Sequence, residues 1–281
     1  MSLATKQLRR FSRNKISVAK EVRTQLRLRN NLERIFFKRL TSLFGRFVNT
    51  RAYIYKEFGQ FDTGVATRDL QEELYPALQS HYRRVYKTIF ESNNSNKPFA
   101  DVKDDVVVFD RNKDLEPFLQ EYFRTRELVL AGISQSIANR IDKIIKDGRA
   151  EGLTLVEIAR NIDTKVRPIT RTRAATIART ETHNAASRAH HRYYQEVEKD
   201  YGSKLVKRWA STNDSRTRSA HSLANGQVRD MNEDFLVGGA LMSHAGDPRG
   251  GARNVINCRC VIIYVDEQDV VSDYVNCSNG N

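Results

Sequence analysis

Apolar side chains that recur every three or four residues constrain the fold of this chain more than any other feature. The first series runs between arginines and comprises Val18, Val22, Leu26, Leu32, Phe36, Leu40, Leu43 and Phe47. Residues at this spacing share one face of an α-helix. The pattern predicts one long basic helix, or two helices joined near Asn30 and Asn31.

Two further series continue the helical pattern. The second comprises Leu70, Leu74, Leu78, Tyr82, Tyr86 and Ile89 and predicts a helix of about six turns, with a coiled-coil oligomer as the alternative use of its face. The third predicts a helix that ends near Asp147 and Gly148, and comprises Leu115, Leu119, Phe123, Leu130, Ile133, Ile137, Ile141 and Ile144. Residues 91–105 between them are rich in Asn, Ser and Asp, which favours a loop.

A helix start is predicted at Thr154, because Glu157 follows it by three residues in the capping-box arrangement. We expect this helix to stop near Pro168, since proline lacks the N–H that a helix interior requires. The next predicted helix carries a face of mostly small residues, which favours close packing: Ala174, Ile177, Ala178, Glu181, Ala185, Ala189 and Tyr193.

The sequence changes character near Gly202. The stretches "KLVKRWAS" and "CVIIYV" are apolar and β-branched, and Gly, Asn, Asp and Ser cluster between them. We therefore predict an α+β fold, mainly helical over the N-terminal two-thirds and followed by a small α+β module with few short strands. The predicted divisions are 1–100 (basic and helical), 101–200 (helical) and 201–281 (the module and a polar tail).

Positive charge is concentrated at the start of the chain. The formal net charge is +13, and residues 1–51 hold fourteen Lys and Arg against only Glu21 and Glu33. Dense cationic segments attract phosphate polymers, so these side chains are candidate nucleic-acid contacts: Arg9, Arg10, Arg13, Lys15, Lys20, Arg23, Arg27 and Arg29. A solvated helix face is the equally weighted alternative, because no base-reading motif accompanies the charge.

Cysteine usage and hydropathy bear on the compartment. Three cysteines, two of them only two residues apart, do not form the framework of a secreted disulfide-rich protein. No run of eighteen apolar residues occurs, and the N-terminus lacks the apolar core of a signal peptide. We expect a reducing compartment and no membrane association; an organelle-targeting segment is the disfavoured alternative.

The "NCRC" stretch places Cys258 and Cys260 on one face of a predicted strand, with Arg259 turned away. We favour simple packing, because cysteine is a common small core residue. The alternatives are a structural zinc held by His221, Cys258 and Cys260, and a catalytic thiol. Further zinc ligands would come from His183, His244 or Asp247, none at a recognised spacing.

Two other stretches carry candidate chemistry. Glu181 in "RTETHNAASRA" is predicted to be buried and paired with an arginine from another segment, with a catalytic base as the alternative. Asp214 begins a predicted turn that would bring Arg216, Arg218 and His221 together. We favour a charge network there over phosphodiester chemistry, and therefore predict no catalytic residues; the alternative functions are a His- or metal-dependent nuclease and a cellular nucleic-acid-binding protein.

Six stretches in this order resemble the phage Mu F-like minor head protein family, also called the phage head morphogenesis family: "DGRAEGLTLVEIARNI", "RAATIARTETHNAASRA", "WASTNDSRTRSAH", "NGQV", "GDPRGG" and "NCRC". The resemblance covers about residues 125 to 265. The residues on its motif positions are Arg179, Thr180, Glu181, Trp209, Asp214, Arg216, Arg218, His221, Gly226, Asp247, Asn257, Cys258 and Cys260. One departure is that this chain lacks the histidine that several members carry shortly before the cysteine pair.

The resemblance implies a minor capsid protein, present in few copies in the virion, in the head interior near the portal vertex. The implied partners are the portal protein, the major capsid protein and packaged double-stranded DNA, and the implied role is in head assembly, DNA packaging or DNA delivery. Family members are not generally known as enzymes, although similar domains are sometimes fused to toxins. The basic segment would then contact DNA without reading its sequence.

Overall fold

The computed structural model describes residues 18–95, 115–201 and 204–267. Its long helices are α1 (Val18–Phe58), α2 (Thr63–Ser95), α3 (Leu115–Arg124), α4 (Glu127–Ala150) and α5 (Leu155–Tyr201). The remaining elements are β1 (Leu205–Ala210), α6 (Ser219–Ala224), β2 (Val228–Asp230), β3 (Phe235–Val237), β4 (Ala240–Met242), a 3-10 turn (Pro248–Gly250), α7 (Gly251–Val255) and β5 (Val261–Asp266). The predicted α+β class is confirmed.

The described residues form two compact units. The helical unit comprises residues 33–83 and 115–179, and the mixed unit comprises residues 18–32, 84–95, 180–201 and 204–267. Candidate residues Arg9, Arg10, Arg13 and Lys15, and most of the predicted loop at 91–105, lie outside the described residues.

The helical unit has an apolar core, as the periodicity predicts. Phe36, Leu40, Phe44 and Leu70 are at most 2% exposed, and the ring of Tyr82 stacks on that of Phe123 with centroids 5.4 Å apart. Helix α1 continues through Asn30 and Asn31, so the single-helix alternative is correct.

The capping box at Thr154 is confirmed. The backbone N–H of Thr154 donates to the Glu157 carboxylate over 2.8 Å, and the Glu157 N–H donates to the Thr154 hydroxyl over 3.3 Å. These bonds satisfy N–H groups that the first turn of α5 leaves without helical partners.

Three predicted boundaries are wrong. Helix α2 continues to Ser95, so residues 91–95 of the predicted loop are helical. The helix predicted from Leu115 to Gly148 is broken by a turn at Thr125 and Arg126, which separates α3 from α4. Conversely, α5 does not stop at Pro168 and continues to Tyr201. A proline removes one backbone hydrogen bond, and burial of the residues on either side, Val166 and Thr170, favours the continuous helix.

The mixed unit is built on an antiparallel sheet in the order β2-β1-β5, with β3 and β4 forming a separate hairpin. In β1, Trp209 pairs with Ile262 and Val206 pairs with both Asp230 and Val265. One face of the sheet carries Ala210, Val261 and Ile263, which pack against Val22 and Leu26 of α1. The other face carries Trp209 and Tyr264 and packs on the main core of the unit, which includes both cysteines.

Small residues let α5 join this core closely. Ala185, Ala186 and Ala189 are fully buried, and a side chain at Gly246 would lie 2.5 Å from the amide of Asn184 on α5. Gly246 also has φ +83°, which disfavours other residues. This close approach brings the polar residues of α5 against the loops around the sheet.

Candidate functional site

The two cysteines and His221 meet in the core of the mixed unit. Nδ1 of His221 lies 3.3 Å from Sγ of Cys260 and 3.6 Å from Sγ of Cys258. All three side chains are buried, and their donor atoms lie within 4.8 Å of one another. The structure therefore brings together the three residues that the sequence nominates for metal binding.

Different local structures position these three side chains. His221 comes from the short helix α6, whose first turn follows the Asp214 loop, and the cysteines come from the segment before β5. The prediction that the cysteines lie within a strand is wrong, because β5 begins at Val261. Arg259 does turn away from them, and its guanidinium binds the Asp214 carboxylate with two bonds of 2.5 Å.

Arg29 lies beside this group and is buried. Its Nη1 lies 2.8 Å from Nδ1 of His183 and donates to the Cys260 carbonyl oxygen over 3.2 Å. Its Nη2 donates to Gln25 Oε1 and to Ser187 Oγ, each over 3.2 Å. The assignment of Arg29 to a nucleic-acid surface is therefore wrong, because its guanidinium is 4% exposed and bonded internally.

The contact between Arg29 and His183 fixes the position of a proton. A guanidinium donates hydrogen bonds and accepts none, so Nδ1 of His183 must be the acceptor. Burial lowers the pKa of His183, which favours the neutral ring. A neutral ring that accepts at Nδ1 carries its hydrogen on Nε2. The His183 side chain also interacts with Cys258.

Two buried N–H groups adjoin the two sulfurs. His183 interacts with Cys258 and the Trp209 indole with Cys260, and the N–H groups concerned are at His183 Nε2 and Trp209 Nε1. Within the described ranges, neither nitrogen has a hydrogen-bond acceptor of normal geometry. The indole also meets the His221 ring edge-on, with centroids 5.8 Å apart. Such donors interact more strongly with a thiolate than with a thiol.

The electrostatics favour negative charge on sulfur. A hydrogen bond from Cys260 holds the pKa of Cys258 well below that of an ordinary thiol, with help from His183 and His221. The same bond, together with burial, raises the pKa of Cys260. Burial lowers the pKa of Arg29 to about 10, and the guanidinium stays protonated at neutral pH beside the sulfurs.

The Asp214 turn forms, but it does not gather the predicted charge group. Asp214 Oδ1 accepts from the backbone N–H of Arg216 over 3.0 Å, and Arg259 holds the pKa of Asp214 well below its usual range. Arg216 is exposed, whereas Arg218 donates to the Ile256 carbonyl. The predicted charge network therefore joins Asp214 to Arg259 and does not include His221.

Asp247 organises a second buried polar group. It accepts from the backbone N–H and hydroxyl of Ser243 over 2.8 and 2.9 Å, and from Arg249, which also binds Asp234. These bonds hold the pKa of Asp247 well below that of a free carboxyl, although burial opposes the shift. The loop from Ser243 to Gly250 is thereby fixed against the core.

The remaining motif residues lie away from the cysteines and form contacts that stabilise the fold. Arg179 pairs with Glu33 over 3.2 Å within the helical unit. Glu181 is buried as predicted, while its pairing with an arginine stays a prediction. The backbone N–H of Asn257, which has φ +58°, donates to the Thr180 hydroxyl over 3.2 Å and anchors the segment before the cysteines to α5.

The exposed positive charge of the mixed unit includes part of the predicted nucleic-acid segment. Lys20, Arg23 and Arg27 are exposed on α1, and their spacing of three and four residues places them on one face. These three are the described members of the candidate set that face solvent.

Sequence reasoning missed one residue of this site and undervalued another. Arg29 belongs to a dense arginine series, and its residue type does not separate it from Arg27, which is exposed. His183 was named only as a distant candidate ligand. The signal available for both was their position on helix faces that also carry apolar or small residues.

Comparison with known proteins gives the same family as the motifs. The family model of phage Mu protein F like protein matches residues 139–263, from α4 to β5. The chain is 26% identical over 138 residues to the minor head protein GP7 of Bacillus phage SPP1, which covers 48% of this chain and 43% of that protein. Residues 139–263 are thus similar to the phage Mu protein F-like family.

A second relative carries an enzyme name. The chain is 34% identical over 131 residues to NAD(+)--arginine ADP-ribosyltransferase EFV of Enterococcus faecalis, covering 46% of this chain and 26% of that protein. The chain thus spans less than half the length of either relative. No solved structure matches the chain.

The Mu F-like region contains His183, His221, Cys258 and Cys260, whereas Arg29 lies outside it. The predicted resemblance to a phage head protein family is therefore confirmed over the segment that forms the site. Among the described helices, none is long and apolar enough to cross a membrane.

Proposed function

We propose that the protein is a minor head protein of a tailed phage or prophage, present in few copies in the virion. The observation that carries this proposal is the Mu F-like match, which runs from within α4 to within β5. The similarity to a protein named as a minor head protein supports it independently.

The proposed position is the head interior near the portal vertex, where the chain bridges portal or capsid and packaged DNA in head assembly, DNA packaging or DNA delivery. Localisation in intact particles tests this directly, with a small tag on the chain and cryo-electron microscopy of purified heads. Density at one vertex supports the proposal. A tag distributed over the whole shell, or absent from particles with normal infectivity, contradicts it.

Contact with DNA is proposed for the exposed face of α1 that carries Lys20, Arg23 and Arg27. Each phosphate neutralised on duplex DNA contributes about 0.9 to the slope of log affinity against log salt. Replacing Arg23 and Arg27 with glutamine should therefore reduce the slope by about 2. The matched control replaces Lys165 and Arg171, which are exposed on α5, with glutamine and should leave the slope unchanged.

Contact with the portal is proposed for the Mu F-like region, because the described match lies there rather than in the basic segment. A purified portal ring from the same phage should co-elute with the full chain and with the Arg23 and Arg27 double variant alike. Loss of co-elution in that double variant would assign portal contact to the basic face instead.

We further propose that the protein acts without catalysing a reaction. His221, the central residue of the nuclease alternative, is 2% exposed and faces two cysteines rather than solvent. Incubation of the purified chain with duplex DNA, and separately with NAD+ and arginine-rich protein, should give neither strand cleavage nor ADP-ribosylation. Turnover that is abolished in the His221→Ala variant would overturn the proposal.

A further inference from the structure

The group formed by His221, Cys258 and Cys260 has the donor chemistry of a zinc site. Imidazole nitrogen and cysteine sulfur are the ligands that Zn²⁺ prefers in proteins. Both sulfurs approach the same ring nitrogen, at 3.3 and 3.6 Å. The single proton or lone pair on Nδ1 cannot form good hydrogen bonds to both thiols at once. One metal ion can bind Nδ1 and both sulfurs together.

The distances fit a tetrahedral ion. With Zn–S bonds of about 2.3 Å and Zn–N bonds of about 2.0 to 2.1 Å, tetrahedral angles separate sulfur from nitrogen by about 3.6 Å. The two observed distances lie close to that value. The three donors come from α6 and from the segment before β5, so a bound ion would tie these two parts of the chain together.

A buried positive charge and N–H groups surround the two sulfurs, an arrangement that suits the thiolates of a metal site. The Arg29 guanidinium is buried beside the cysteines, and its described hydrogen-bond partners are all uncharged groups. The His183 ring and the Trp209 indole place N–H groups beside the sulfurs. N–H groups of this kind commonly orient metal-bound ligands and tune their charge.

We propose that His221 Nδ1, Cys258 Sγ and Cys260 Sγ bind one Zn²⁺ ion, that His183 donates its Nε2 hydrogen to Cys258, and that Arg29 fixes this tautomer. Binding releases the remaining thiol protons to solvent, and the cysteine sulfurs ligate as thiolates. These side chains supply three of the four positions of a tetrahedral ion. This inference goes beyond the proposed head-protein function and does not depend on it.

Metal content of the full chain, purified without a metal-affinity step, tests the proposal. One zinc per chain is expected by elemental analysis, and Co²⁺ added after chelation should give the intense visible absorption of a tetrahedral thiolate complex. Cys258→Ser and Cys260→Ser should each lose stoichiometric metal. Cys277→Ser is the matched control and should retain it.

If the variants fail to fold, metal binding by the wild-type protein still tests the proposal. A folded wild-type chain that binds neither Zn²⁺ nor Co²⁺ overturns the proposal. A Cys258–Cys260 disulfide, found by mass spectrometry in protein purified under reducing conditions, overturns it as well.

Variants of His183 test its assigned role. Loss of a hydrogen-bond partner of a metal ligand weakens metal binding by roughly 10 to 100-fold. His183→Ala should therefore bind Zn²⁺ with an affinity lower by that factor, but still bind one ion per chain. His183→Gln supplies an amide N–H and should recover part of the loss. If both variants lose metal as completely as Cys258→Ser, His183 is a fourth ligand and the tautomer assignment is wrong.

Discussion

The two units of the molecule bury different kinds of side chain. Among the described residues of the helical unit, the buried polar or charged set is short: Thr67, His81, Arg126, Ser134 and Thr170. The mixed unit buries one arginine, one lysine, two carboxylates of its loops and sheet, and five histidines: Arg29, Lys207, Asp247, Asp266, His183, His190, His191, His221 and His244. One unit is held mainly by apolar burial, and the other depends on the protonation state of its core.

The two units are expected to differ most in how much stability they lose at acidic pH. Burial lowers the pKa of His244 to about 4, that of His190 to about 3 and that of His191 to about 2. In the unfolded chain these histidines bind protons near pH 6.5. The stability that the neutral, buried rings contribute is therefore complete above that pH and is lost as the pH falls towards the pKa values of the folded state. The shift of His244 alone corresponds to about 3 kcal/mol.

Fluorescence of Trp209, the single tryptophan, and hydrogen exchange measured peptide by peptide check this prediction. Between pH 6 and 4.5, protection should fall in residues 204–267 while residues 127–150 stay protected. An equal loss of hydrogen-exchange protection in both stretches would contradict the predicted difference in acid stability between the two units.

The next largest effect is expected at Arg29. Removing this buried donor leaves its uncharged acceptors on Gln25, His183, Ser187 and Cys260 without a hydrogen bond. A buried group left unsatisfied costs about 1 to 3 kcal/mol, so Arg29→Ala should lower the free energy of unfolding by about 3 kcal/mol. The matched change Arg23→Ala, on the exposed face of the same helix, should stay within about 0.5 kcal/mol. Urea unfolding of both variants measures the difference, and equal effects would contradict the internal role of Arg29.

A pair of glycines should respond with opposite signs. Gly246→Ala, in the mixed unit, forces a side chain against Asn184 and His183 at φ +83° and should destabilise by about 1 to 3 kcal/mol. Gly132→Ala, in the interior of α4, meets no atom within 4 Å and should stabilise by about 0.5 to 1 kcal/mol. Thermal unfolding of the two variants reports both signs, and a stabilised Gly246→Ala would disprove the close contact with α5.

The smallest effect is expected at the helix start in the helical unit. Thr154→Ala removes the N-cap of α5 and should cost about 1 kcal/mol at neutral pH. The bonds from Thr154 lower the pKa of Glu157, so their contribution is present above the unfolded pKa and disappears as the pH falls through the folded one. The gap between variant and wild type, measured by urea unfolding, should therefore shrink below pH 4; a constant gap would show that Glu157 plays no part in the cap.

The sequence predicts the helical unit better than the mixed unit for a physical reason. Apolar periodicity and the Thr154 cap are local patterns, and each forms a helix feature where it occurs. The stop predicted at Pro168 is wrong because a proline removes only one backbone hydrogen bond, and the continuous helix buries Val166 and Thr170 two positions to either side. The break at Thr125 has no comparable signal in the apolar spacing.

The candidate site is predictable only in part. His221, Cys258 and Cys260 could be nominated from residue type, and the structure brings them together. The roles of Arg29 and His183 depend on a contact across 154 positions of sequence, which no local spacing encodes. The Asp214 turn was predictable, but its partner Arg259 was not, because that pairing joins two loops.

Lys207 lies in the middle of the sheet, with its amine donating to the Ser243 carbonyl over 2.9 Å and lying 5.2 Å from the centroid of the Phe235 ring. Its side chain is fully buried, and burial lowers its pKa to about 8. Amine-reactive reagents applied to the purified chain should therefore modify Lys143 and Lys146 on the outside of α4 and leave Lys207 untouched. Modification of Lys207 would identify chains whose sheet has opened, which makes this lysine an internal gauge of folding.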